Sequence, residues 1–199
     1  MALFLLGLVL FLGSHSVRIV AEDWRVATRM RLGEKMYKGI YSLASIVGFA
    51  LLIYGFGQVR WDSPFVWTPP TAMRHISVLL MLVSMVLLVA AQVPNNIIKA
   101  RLHHPLVLSV KVWALAHLLA NGRVADLILF GAFLVWAVLD FRAARSRDRL
   151  MADAVHDLPP EEAPVYVNNG RVVMIGIVVW LILLLGGHTW LFGVSPIGL

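Results

Sequence analysis

Cysteine is absent from this 199-residue chain. That excludes disulfides, thiolate nucleophiles and cysteine-ligated zinc or iron–sulfur centres. Charge is scarce as well: 14% of the residues are Asp, Glu, Lys or Arg, against 60% hydrophobic. A soluble domain of this length has no core large enough to bury so much apolar surface, so the composition defines an integral membrane protein. No glycine-rich phosphate loop, Walker pattern or internal repeat is found, which removes the common nucleotide-hydrolysing classes. The little charge present is unbalanced, with 17 basic and 11 acidic residues and a net charge of +6. A nucleic-acid partner is rejected, because the basic residues sit in short connections between apolar runs, where they set topology.

A membrane-spanning helix needs about 20 mostly apolar residues, and lipid leaves the backbone no other economical fold. Six such runs occur, over residues 2–20, 39–57, 76–94, 105–121, 123–141 and 172–193. The expectation is an all-α, polytopic membrane bundle of six transmembrane helices forming a single domain over 1–199. The first run has no positive residue before it and no small-residue cleavage site after it, so it reads as an uncleaved helix rather than a signal peptide. The odd-numbered connections carry twelve Lys or Arg (Arg25, Arg29, Arg31, Lys35, Lys38, Lys99, Arg101, Arg142, Arg145, Arg147, Arg149, Arg171), and the even-numbered ones carry three (Arg60, Arg74, Arg123). The positive-inside rule then places both termini outside. Trp61, Trp67 and Trp190 are expected at the outer interface and Trp24 at the inner one. Asn121-Gly122-Arg123 is a turn signal that makes the fourth and fifth runs a tight hairpin. Residues 142–169 read as one long polar loop, basic over Arg142 to Arg149 and acidic from Asp153 to Glu162.

The chemistry-bearing residues lie inside these apolar runs. Ionisable groups in lipid are costly and so face a partner or a cavity. His15 lies between Ser14 and Ser16, with Arg18 and Glu22 on the same helical face. His117 shares a face with Trp113 and Asn121, four residues before and after it. Asn121 is placed to orient its ring, and Trp113 to wall an aromatic pocket. Each histidine is open to two readings, a hydrogen-bonded residue of the bundle interior or a metal ligand. His104 precedes Pro105 at a helix start, where proline costs nothing, and Lys111 lies seven residues on. The pair either caps and snorkels or holds a carboxylate or phosphate. His103 and His156 read as loop residues. His75 and His188 read as interfacial, and a second external site could be built from them.

Phe11-Leu12-Gly13-Ser14-His15-Ser16, the short basic loop with Gly33-Glu34, and His104-Pro105 followed by Trp113-Ala114-Leu115-Ala116-His117-Leu118-Leu119-Ala120-Asn121-Gly122 resemble the NnrU family. These are bacterial membrane proteins associated with denitrification and nitric oxide metabolism. The same signature is similar to that of the plant 15-cis-zeta-carotene isomerase, which binds haem b. The resemblance implies a bacterial inner membrane location and a haem b whose iron is ligated by the residues matching His15 and His117. Arg18, His104, Lys111, Trp113 and Asn121 are then expected around the cofactor, with Arg18, Lys111 and Asn121 toward the propionates. Two departures stand out. Ala114 occupies the position of an isomerase cysteine implicated in ligand exchange, and Ser109 that of a frequent glycine.

Two axial histidines imply electron transfer or redox sensing. Release of one would open the iron to nitric oxide, a redox partner or a small apolar substrate, as in haem-dependent isomerisation. One spacing is in tension with this. At about 1.5 Å per residue, His117 lies roughly 17 Å from its helix start and His15 about 8 Å from the end of its own. A shared iron therefore requires the first helix to run past Val20 toward Trp24, or the fourth to begin nearer the surface than Pro105. The alternatives are a membrane methyltransferase-like enzyme, whose His-Pro motif is similar, and a non-catalytic assembly factor. The methyltransferase pattern is not completed, since Asp140-Phe141-Arg142-Ala143-Ala144-Arg145 stands where those enzymes carry an acidic, tyrosine-containing stretch.

Overall fold

Apolar runs with no polar backbone partner in lipid close into helices, and helices dominate the computed structural model, which describes residues 1–155 and 166–197. In chain order these are α1 (Ala2–Val20), α2 (Glu22–Leu32), α3 (Glu34–Val59), α4 (Thr71–Gln92), α5 (Ile97–Leu102), α6 (Pro105–Ala120), α7 (Val124–Val155) and α8 (Asn169–Ile182). A π-turn over Leu183–Gly187 then leads into α9 (His188–Phe192).

Five helical stretches are long and apolar enough to cross a membrane: α1, α3, α4, α7 over Val124–Ala152, and the run Asn169–Phe192. The sixth expected span, α6, is helical but has only 16 residues, about 24 Å of rise against a hydrocarbon core of about 30 Å.

Close approach of α1 and α3 is built on glycine. A Cβ on Gly7 or Gly55 would overlap the backbone of Leu52 or Phe4, and one on Gly48 would fall 2.7 Å from Phe11 N. Phe4, Leu8, Leu52, Leu129 and Phe130 form the core that this approach closes over. Polar pins join the other helices. Ser84 and Ser109 exchange hydroxyl-to-carbonyl hydrogen bonds of 3.0 and 2.9 Å between α4 and α6. Trp180 Nε1 donates to Val78 O at 2.9 Å between α8 and α4. The small side chain at position 109 is therefore a paired hydroxyl rather than a gap.

The α6–α7 hairpin turns at Asn121-Gly122-Arg123, as its sequence indicates. Val66 N donates to Gly122 O at 2.8 Å, and Ser63 Oγ caps α7 by accepting from Ala125 N at 2.9 Å. At the same end Asp126, 3% exposed, lies 3.8 Å from Arg60 Nε.

Three expectations are corrected. The segment from 142 onward is not a loop, since α7 continues to Val155. It lacks glycine and proline until Pro159, and Arg145 and Asp148 pair across one turn at 3.4 Å. Most of the acidic stretch lies outside the described residues, as does His156. Secondly, the run 172–193, though long enough to cross within Asn169–Phe192, is not one regular helix, since Gly186 kinks it. Finally, α1 does not extend past Val20, because Ala21 leaves the helical region (φ −143°, ψ 47°), and α6 does begin at Pro105. Neither route to a shared iron is taken.

Candidate functional site

The connections richest in arginine and lysine meet at one end of the bundle. There α1, α2, α3, α6 and α7 enclose a cleft of about 980 Å³ lined by His15, Tyr41, Phe133, Trp136, Arg18 and Arg147 among others. This is large enough for a cofactor-sized ligand.

His15 lines this cleft with one ring nitrogen uncommitted. Its helix holds it by a local bond, Nδ1–H donating to Phe11 O at 2.7 Å, which leaves the Nε2 lone pair free. Aromatic rings surround it: Phe11 at 4.4 Å between centres, Tyr41 at 5.4 Å and Trp136 edge-on at 6.1 Å. Ser14 and Ser16 spend their hydroxyl protons on Phe11 O and Leu12 O, and Ser14, itself in the cleft lining, holds Oγ 3.3 Å from His15 Nδ1.

The mouth is cationic but most of its cations are spent. Arg25 clasps Glu22 at 2.5 and 2.7 Å, and its guanidinium holds the Glu22 carboxyl below the usual carboxylate range. Lys38 and Arg29 share Glu34, at 2.6 and 3.8 Å. Among the described residues Arg18 and Arg147 make no salt bridge, though both act on Glu22 from nearby. Arg147 is not singled out by the sequence. Only the continuation of α7 through the basic run gives it a place at the cleft, and helix-forming composition beyond residue 141 is the signal for that.

His104 also lines the cleft but is committed. Its Nε2–H donates to Asp148 Oδ2 at 2.9 Å, and its ring lies edge-on to Phe141 at 6.3 Å. Lys111 shares that neighbour, with Nζ 4.6 Å from the Phe141 ring centre. It therefore points toward the His104 end, but against an aromatic face rather than into the cleft lining.

His117 stands elsewhere. Its ring stacks on Phe130 at 4.5 Å and packs on Trp113 at 5.1 Å. His15 meets α7 at Trp136 and His117 meets it at Phe130. Six residues of helix separate these two levels, about 9 Å of rise. Phe11, Phe133 and Trp113 form a continuous series of ring contacts between the two levels, 5.9 and 5.4 Å apart. Metal–imidazole bonds are about 2 Å long, so one ion does not reach both rings in this arrangement. The Asn121 expectation also changes. Its Nδ2 donates to the main-chain oxygen of His117 at 2.8 Å, and the ring is oriented instead by Trp113 O, which accepts from Nδ1 at 2.9 Å. His188, expected at the interface, lies beside His117 with ring centres 6.4 Å apart. His75 is exposed and His103 lines the cleft with φ +61°. No cluster of three or more His, Cys, Asp or Glu with metal-binding geometry occurs among the described residues.

An all-helical membrane bundle with a histidine-bearing polar cleft defines the class. Comparison with known families gives the membership: residues 3–196 match the family described as NnrU protein, and the chain belongs to that family. Neither a curated protein nor a solved structure matches it.

Proposed function

We propose that this NnrU-family protein binds one haem b in the arginine-rich cleft, with His15 as iron ligand, and works in redox or nitric oxide metabolism linked to denitrification. The observation that carries this reading is the setting of His15: an imidazole with a free Nε2, in an aromatic-walled cleft whose mouth holds two arginines that make no salt bridge among the described residues. A porphyrin is an apolar plate with two carboxylates, and this donor set suits it. Phe11, Tyr41, Phe133 and Trp136 supply the apolar walls and keep water from the ligand. Arg18 and Arg147 supply charge-assisted hydrogen bonds for two carboxylates. When bound, haem supplies one-electron transfer and diatomic-gas binding.

His104 is tied to Asp148 and His117 lies outside the cleft lining. We therefore assign one protein ligand to the iron and leave its second face to a diatomic such as nitric oxide or to a partner. The isomerase alternative has less support, since the position of its cysteine is Ala114, fully buried between helices. The positive-inside rule puts the cleft on the cytoplasmic side of a bacterial inner membrane, with α6 as a sixth crossing and both termini outside.

The test is the absorption spectrum of the full chain purified in mild detergent from cells supplied with haem precursor. A sharp Soret band with one haem b per chain is expected. Colourless, monodisperse protein would contradict the reading and favour an assembly factor.

A further inference from the structure

His188 takes no part in the cleft, yet the fold carries it to His117. α8 is regular to Ile182 and then kinks within Leu183–Gly187, where Gly186 has the non-helical angles φ +149° and ψ −25°. Glycine alone adopts that conformation at little cost. The kink at Gly186 turns α9 off the line of α8.

The result is a matched pair of imidazoles. The ring centres of His117 and His188 are 6.4 Å apart and their planes 29° apart. His117 Nδ1–H donates to Trp113 O at 2.9 Å, and His188 Nδ1–H donates to Val194 O at 2.7 Å. Both rings are thus held in the tautomer whose Nε2 is bare, by the main-chain carbonyl partner that metal-binding histidines use. Two such rings cannot hydrogen-bond to each other, since neither has a proton at Nε2. Aromatic neighbours line both sides, Phe130 and Trp113 against His117 and Phe192 at 4.9 Å from His188.

We infer that His117 and His188 form a two-coordinate site for a cuprous ion, separate from the cleft. Metal–imidazole bonds of about 2 Å on either side of one ion place two ring centres roughly 6 Å apart. No third His, Cys, Asp or Glu joins them among the described residues, and zinc takes four ligands while calcium and magnesium take oxygen. A closed-shell monovalent ion accepts two neutral nitrogen donors, and in an apolar surround it costs less than a divalent one.

The experiment is an anaerobic titration of the full-length protein with cuprous ion, against a chromogenic cuprous chelator, with ascorbate present. One ion per chain is expected in wild type and in His15→Ala. No ion should bind to His117→Ala or His188→Ala, with each variant checked for a monodisperse elution profile. Gly186→Ala keeps both histidines but strains the turn, and should weaken binding about tenfold or more. Wild-type stoichiometry in His188→Ala would overturn the site. So would a Soret band that is lost in His188→Ala while wild type takes up no copper, since the two histidines would then serve a haem. Loss of the Soret band in His15→Ala alone bears only on the cleft.

Discussion

The His15 ring stands edge-on to Trp136, 6.1 Å between centres and 87° between planes. This contact sets the depth of His15 in the cleft: α7 presents Trp136 to His15, Phe130 to His117 and Phe141 to His104. Three histidines are thus kept at three levels, and of the two that line the cleft His104 is tied to a carboxylate while His15 is not.

Arg18 and Arg147 are expected to act on the cofactor without ligating it. Arg18→Gln with Arg147→Gln should weaken haem retention at least about tenfold, as loss of two charge-assisted hydrogen bonds implies, and leave the Soret position unchanged. Haem-transfer kinetics to an apoglobin acceptor measure this. Retention equal to wild type would remove both residues from the site.

Lys111→Met should leave haem content and midpoint potential unchanged, because Nζ sits over Phe141 and contributes only a cation–π contact of about 0.5–2 kcal/mol. A redox titration and a thermal melt check both halves. A shifted potential would return Lys111 to the cofactor.

Asp126→Ala should cost about 1–3 kcal/mol, because it removes the carboxylate 3.8 Å from Arg60 Nε and leaves a guanidinium only 16% exposed without an anionic partner. The double change Arg60→Met with Asp126→Leu should recover most of that loss. Denaturant unfolding in mixed micelles measures the pair, and an additive double variant would contradict the coupling.

Gly48→Leu should push α1 from α3, since even a Cβ there falls 2.7 Å from Phe11 N. Overpacking costs about 1–3 kcal/mol, and His15 should move with Phe11. The expected readout is a lower melting temperature together with reduced haem content. A Gly57→Ala control has open space at its Cβ and should change neither.

The helices are legible in the sequence because their signals are local. Twenty-residue apolar runs, Pro105 at a helix start and Asn121-Gly122 at a turn all act within a few residues. The His104–Pro105 and Trp113–His117 motifs lead to the family for the same reason. The illegible part depends on register between helices. Nothing in the spacing of His15 and His117 says that Phe11, Phe133 and Trp113 come between them. His188 reads as interfacial unless the turn at Gly186 is known, because a continued α-helix aims it elsewhere. Arg147 reads as part of a polar loop because a charged run at a helix end has no periodic apolar mark.

The most direct test of the cleft is the spectrum of His15→Ala beside that of His117→Ala, both purified as full-length, monodisperse protein. The account predicts that His15→Ala loses the haem while His117→Ala keeps wild-type content and a wild-type Soret band. Haem retained in His15→Ala, or lost in His117→Ala alone, would contradict it.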